Sequence, residues 1–233
     1  MNGGVLPLQV IMLGPLMLKY SLLMMMIAVA TGYLVTLFWT RHLDTTIRKP
    51  LLDDLMIMLL VGILIWKFSP LVFDTMAVIR SPLSLLYYTG GTQGILLAII
   101  ANILMLVYQC FKHRKPWAVY ANTMLTWLIA AYGILNLLRV FLENGGYTAI
   151  GTAVVAAAVI AYQFRHRERI FSSYLLACTV MWSAIGLFTV SLVDETVEAF
   201  WLGLGEMQLA LLIVAILALI MKVILEKRES LNT

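Results

Sequence analysis

Residues 147–169, YTAIGTAVVAAAVIAYQFRHRER, decide the fold, because eighteen largely apolar residues run there directly into a basic cluster. As a helix, such a run is about 27 Å long, close to the roughly 30 Å of a bilayer's hydrocarbon core. Basic residues that flank a hydrophobic run prefer the cytoplasmic side of a membrane. The segment therefore predicts a membrane-spanning helix whose C-terminal end faces the cytoplasm.

The composition extends this interpretation to the whole chain. Hydrophobic residues make up 62% of the 233 residues and charged residues 12%, and the mean hydropathy is +0.95. This composition is not that of a soluble globular protein, and it predicts a single polytopic membrane domain over residues 1–233. The formal net charge of +4 is typical of cytoplasmic loop charge in membrane proteins, and we predict no nucleic-acid partner.

Apolar runs recur along the chain and predict seven spans. They lie at about residues 16–40, 55–73, 94–111, 117–142, 147–164, 170–193 and 202–225. The stretch 74–93 contains a Ser-Pro pair and a Gly-Gly pair and is too broken to span. The two cysteines fall at different depths, so we predict no disulfide between them.

The basic residues orient these spans. Twelve of the sixteen lysines and arginines lie in the last turn of, or follow, spans one, three, five and seven, whereas the loops after spans two, four and six are mostly acidic. The positive-inside rule then places the C-terminus in the cytoplasm and the N-terminus outside. The sequence predicts an all-α integral membrane protein with seven transmembrane helices in this orientation.

Four cations do not follow this rule: Lys19, Lys67, Arg80 and Arg139 map to the outer side. In one interpretation, each side chain extends separately to the lipid headgroups. In the other, they form a pocket for an anionic headgroup, which suits the planar guanidinium of arginine and the point charge of lysine.

The outer side also holds the glycine-rich stretch 87–94, YYTGGTQG. Gly90 and Gly91 would let the backbone approach an anion at the start of span three, although a turn without a ligand fits equally well. Motifs of soluble enzymes are absent, and we predict no cofactor and no metal site. Outer carboxylates are solvated loop acids or candidates for a general base; they are Asp74, Glu143, Glu198 and Glu206.

Several segments resemble the bacterial prolipoprotein diacylglyceryl transferase family. Residues 14–20, GPLMLKY, are similar to its opening Gly-Pro-x-x-Ile-Arg-Trp-Tyr-Gly. Asp53 and Asp54, with Gly62 and Lys67, resemble the acidic residue and Gly-Arg-x-Gly of its second helix. Further similarity lies in residues 82–94 and in residues 204–211, which contain Gln208 and are similar to Leu-Ser-x-x-Gln-x-Leu-Ser-Leu.

This resemblance implies seven spans in the same orientation, a multi-pass protein of the bacterial plasma membrane, and a transferase. The family moves diacylglyceryl from phosphatidylglycerol to a cysteine of a lipoprotein precursor, which makes both molecules expected partners. By resemblance, Arg139 corresponds to the essential arginine, Lys67 and Lys19 stand at basic positions, and Thr92 or Gln93 takes the place of the family's motif histidine. The remaining candidates are Gly90 and Gly91 at the phosphate and Gln208, Glu143 and Asn144 nearby.

The chain also departs from the family pattern. The motif histidine is absent, and Val140–Asn144 replaces Gly-Asn-Phe-x-Asn. Trp182 and Gly186 stand where helix six of the family carries an arginine and a glutamate, and Ser21 stands where the family has a tyrosine. Two hypotheses follow: a divergent transferase, and a non-catalytic member of the same fold that binds an anionic phospholipid or a membrane partner. A small-solute transporter is a less favoured alternative, because the sequence shows no convincing internal repeat.

Overall fold

The structure of the chain is a computed structural model. The structure describes residues 10–13, 16–80, 91–113, 116–143, 145–193, 200 and 203–231. Gly90, Asn144 and Glu198, three of the residues singled out in the sequence, lie outside this part of the chain.

The described residues form one short hairpin followed by helices. Strands β1 (Val10–Leu13) and β2 (Leu16–Lys19) pair in antiparallel fashion, with Val10 opposite Lys19. The helices are α1 (Tyr20–Trp39), α2 (Thr45–Phe68), α3 (Pro70–Phe73), α4 (Thr75–Arg80), α5 (Gly91–His113), α6 (Trp117–Leu142), α7 (Tyr147–Arg165), α8 (Ser173–Ser191) and α9 (Glu206–Leu231). Single 3-10 turns follow α1 and α7.

Seven helical segments of the described residues are long and apolar enough to cross a membrane, as the sequence predicts. They are Leu23–His42, Thr45–Phe73, Gln93–Phe111, Trp117–Leu142, Tyr147–Arg165, Ser173–Ser191 and Glu206–Lys227. The fold is therefore that of a multi-pass α-helical membrane protein. The orientation of its termini stays a prediction from the charge pattern.

Two helices begin at residues other than those at which the predicted spans begin. The first span was expected from residue 16, but Leu16–Lys19 pairs with Val10–Leu13 and the helix begins at Tyr20. A short apolar run does not distinguish strand from helix, which explains the difference. The second span was expected after Asp53 and Asp54, whereas α2 begins at Thr45 and carries both acids inside it.

The chain divides into two compact units. Unit 1 comprises residues 1–40 with residues 121–233, and unit 2 comprises residues 41–120. The prediction of one polytopic domain over the whole chain stays a prediction.

In unit 1, small residues allow neighbouring helices to approach closely. A Cβ atom at Gly133 of α6 would lie 2.6 Å from the Cβ of Ala156 on α7, and one at Gly151 of α7 would lie 2.9 Å from Val190 on α8. Helices in a membrane associate largely through such close packing, because the lipid is as apolar as the helices. Helices α6, α7 and α8 therefore pack as successive antiparallel neighbours.

In unit 2, α2 packs against α5 in antiparallel fashion. Gly62 of α2 faces Asn102 of α5, and Gly94 near the start of α5 faces Trp66 and Ser69 at the end of α2. A hydrogen bond of 2.6 Å from the Tyr120 hydroxyl to Oδ2 of Asp54 joins the first turn of α6 to α2. Asp54 thus contributes to the packing of unit 2.

Candidate functional site

An apolar groove of about 490 Å³ runs along unit 1 between α6 and α7. Its volume lies within the range of small-molecule pockets, and almost all of its lining atoms are apolar. Small side chains at Gly133, Ala153 and Ala157 leave the space that bulkier residues would fill. The full lining is Val35, Ala130, Gly133, Ile134, Leu137, Val140, Phe141, Ile150, Ala153, Val154, Ala156, Ala157 and Ile160.

The groove has the length of one membrane leaflet. Its lining extends from Ala130 to Phe141 on α6 and from Ile150 to Ile160 on α7. At about 1.5 Å per residue, both stretches are about 15 Å long, half of a hydrocarbon core of roughly 30 Å. The groove therefore begins near the turn between α6 and α7 and ends near the middle of the membrane.

The predicted cation Arg139 lies at the depth of this turn. It is in the last turn of α6, its side chain is exposed, and its carbonyl accepts hydrogen bonds from the amides of Glu143 and Gly145. Within the part of the chain that the structure describes, its guanidinium has no hydrogen-bond or ion-pair partner.

Arg139 does not point into the groove. It follows the lining residue Leu137 by two positions, which places the two side chains about 160° apart around the helix. The exposed Tyr132, which does not line the groove, lies on the same side of α6 as Arg139. Arg139 would therefore interact with a ligand in the groove through its positive charge at a distance and would not donate a hydrogen bond to it directly.

The other three predicted cations lie at the ends of three different elements. Lys67 is half-buried in the last turn of α2, in unit 2, where it takes part in an interaction with its surroundings. Lys19 is the last residue of β2. Arg80 ends α4. The gathering of these cations around one headgroup therefore stays a prediction.

The predicted glycine-rich site is described in part. Gly91 begins α5 with a φ of 53°, a left-handed conformation that favours glycine, and open space surrounds it. Gln93 follows in the first turn of the same helix and is exposed.

Gln208 has a structural role in this fold. Its Oε1 accepts a hydrogen bond of 2.9 Å from the Gly205 amide, and its Nε2 donates one of 2.7 Å to the Ser191 carbonyl. The side chain thereby joins the end of α8 to the start of α9. Among the predicted carboxylates, Asp74, Glu143 and Glu206 are exposed at helix ends. Among the described residues, the structure shows no group of three or more metal-ligating side chains.

The sequence interpretation missed a buried polar layer in unit 1, which we call the polar layer. Its members come from the end of α1 and the 3-10 turn after it, from the start of α6, from the end of α7 and from the first half of α8, and none is exposed. They are Thr36, Trp39, Thr40, Asn122, Thr123, Thr126, Gln163 and Thr179. The four-residue spacing of Thr36 with Thr40, and of Asn122 with Thr126, was the available signal, because it puts polar groups on one helix face.

Comparison with models of protein families, with curated proteins and with solved structures gives no match for this chain. The fold therefore defines the class, which is that of a multi-pass α-helical membrane protein.

Proposed function

We propose that the protein binds an anionic phospholipid in the outer leaflet of a bacterial plasma membrane, with an acyl chain in the groove. The groove between α6 and α7 is the observation that carries this proposal. Phosphatidylglycerol is the lipid that the family resemblance implies.

The shape of the groove supports an acyl chain as its occupant. It is about one leaflet long, it lies on membrane-spanning helices, and its lining is almost wholly apolar. A polar solute would find too few hydrogen-bond partners there, whereas a hydrocarbon chain gains dispersion contacts along its whole length.

The charge at the end of α6 supports an anionic headgroup. A lipid whose chain fills the groove has its phosphate near the turn between α6 and α7. Arg139 contributes one positive charge at this depth, and the N-terminus of α7 adds the positive end of a helix dipole. Both favour an anionic lipid over a zwitterionic one.

Filling the groove tests the proposal. Ala157 is exposed and lines the groove, whereas Ala161 is exposed one turn later on α7 and does not line it. We expect Ala157→Phe to lower the lipid retained per purified protein about fivefold, corresponding to about 1 kcal/mol of lost packing. Ala161→Phe is the matched control and should retain lipid like the unmodified protein. Equal retention in both variants, measured by native mass spectrometry, would contradict the proposal.

Removing the charge tests the headgroup. A single basic residue near a membrane surface contributes about 1 kcal/mol to the attraction of anionic lipid. We therefore expect Arg139→Ala to lower the preference for phosphatidylglycerol over phosphatidylcholine about fivefold. Arg165→Ala removes the same charge at the other end of the membrane and should leave this preference unchanged. If Arg139→Ala leaves this preference unchanged, Arg139 is not part of the site.

Catalysis is the second candidate, and it derives from the family resemblance alone. A divergent diacylglyceryl transferase would restore lipid modification of a lipoprotein precursor in bacteria depleted of their own enzyme. Failure by well-expressed, folded protein would leave the non-catalytic lipid-binding hypothesis.

A further inference from the structure

Gln163 is a fully buried amide inside a membrane-spanning helix. Its main-chain carbonyl accepts a hydrogen bond of 3.2 Å from Nε1 of Trp39, which holds the end of α1 against the end of α7. Its side chain is 0% exposed. Among the residues that the structure describes, neither its Oε1 nor its Nε2 has a hydrogen-bond partner.

The helix register places Thr126 and Asn122 of the polar layer near the depth of Gln163. Gly133 of α6 lies opposite Ala156 of α7, and the two helices are antiparallel. Seven residues make about two turns, so Thr126 lies on the same face of α6 at the depth of Gln163. Asn122 lies one further turn toward the end of α7, on the same side.

The polar layer carries several hydrogen-bond acceptors on the helices beside α7. The Asn122 amide group donates to the carbonyls of Ile170 and Ser172, and its buried Oδ1 has no partner in the described part of the chain. The Thr126 and Thr179 hydroxyls donate to carbonyls of their own helices, so their oxygens are left as acceptors. The Nε2 of Gln163 adds a buried donor.

Such a set of orphaned groups is costly in a membrane, where lipid offers no replacement partner. Native proteins satisfy almost all of their buried polar atoms, often with ordered water. A cation could bind the acceptor oxygens but not the donor Nε2. The polar layer also contains no carboxylate that would balance the charge of a cation. The occupant therefore has to be neutral and has to both accept and donate hydrogen bonds.

We propose that the polar layer encloses a small neutral ligand at Gln163 that both donates and accepts hydrogen bonds. Water is the simplest such ligand, and a small hydroxylated solute has the same chemistry. This site lies at the basic end of unit 1, separate from the groove, and does not depend on the proposed lipid.

Replacement of Gln163 by Met tests the proposal through stability. If a ligand satisfies the amide, Gln163→Met removes its hydrogen bonds and should lower Tm in detergent by roughly 2–8 °C. If the amide is an orphan, the same change removes a buried unpaired group, and Tm should rise instead. A rise, or no change, would overturn the proposal. Gln208→Met is the matched control, because both ends of that amide are satisfied, and it should lower Tm.

A crystal structure of the unmodified protein at about 2 Å provides a second measurement that needs no variant. Density within about 3 Å of both Oε1 and Nε2 of Gln163 is expected. Density the size of a single atom identifies water, whereas larger density with a matching mass released on denaturation identifies a solute. An empty site, or a Gln163 side chain hydrogen-bonded to protein atoms alone, would overturn the proposal.

Discussion

Asp54 shows how a charged residue can be used for structure within a membrane protein. The carboxylate lies inside α2 and accepts a hydrogen bond of 2.6 Å from Tyr120, which is almost fully buried. The sequence placed this acid before the second span, where it matched an acidic residue of the transferase family. The structure gives it a partner in unit 2, so its presence needs no catalytic explanation.

Tyr120→Phe should therefore destabilise the protein. The change removes a hydrogen bond to a charged group, which typically contributes about 1.5–3 kcal/mol, and should lower Tm in detergent by several degrees. Tyr132→Phe, on the same helix at an exposed position, makes the same chemical change and should have little effect. An equal Tm for the two variants would show that the Tyr120 bond contributes nothing to stability.

At the scale of elements, the contact between α6 and α7 depends on small residues. Gly133 and Ala156 meet so closely that one additional methyl group has no room unless the helices separate. The sequence predicted both helices nearly to the residue, because each is a long apolar run. It did not predict which faces meet, since lipid-facing and protein-facing surfaces are both apolar and leave little periodicity to read.

Gly133→Ala should lower stability by about 1–3 kcal/mol, the usual cost of overpacking a tight contact. Combining it with Ala156→Gly moves the methyl group from one helix to the other and should recover most of the loss. The measurement is thermal unfolding of the two single variants and the double variant. A double variant that is less stable than Gly133→Ala alone would argue against direct contact between these positions.

At the scale of the whole molecule, the charge pattern predicts the orientation in the membrane. Green fluorescent protein fused to the C-terminus should fluoresce, because this end is expected in the cytoplasm. Alkaline phosphatase fused at Gly146, between α6 and α7, should be active, because this turn is expected outside. Reversed signals from both fusions would invert the topology and would place the proposed lipid in the inner leaflet.

The parts of the candidate site differed in how well the sequence predicted them. Arg139 could be found because a charge near a span end conflicts with the topology. The groove could not, since it consists of space left by alanines and glycines that elsewhere simply pack. The polar layer left only the four-residue spacing of some of its members as a signal, because Thr126 and Gln163 hardly change the hydropathy of their helices. Its existence depends on helices brought together in space.

The lengths of α6 and α7 have a consequence for the membrane around them. As straight helices, the 26 residues of α6 measure about 39 Å and the 19 residues of α7 about 28 Å. A single bilayer cannot match both lengths, so α6 must tilt or extend into the interface. A thicker bilayer would relieve this hydrophobic mismatch at α6 while drawing Arg165 of α7 toward the hydrocarbon. A change in bilayer thickness thus improves the length match of one wall of the groove and worsens that of the other.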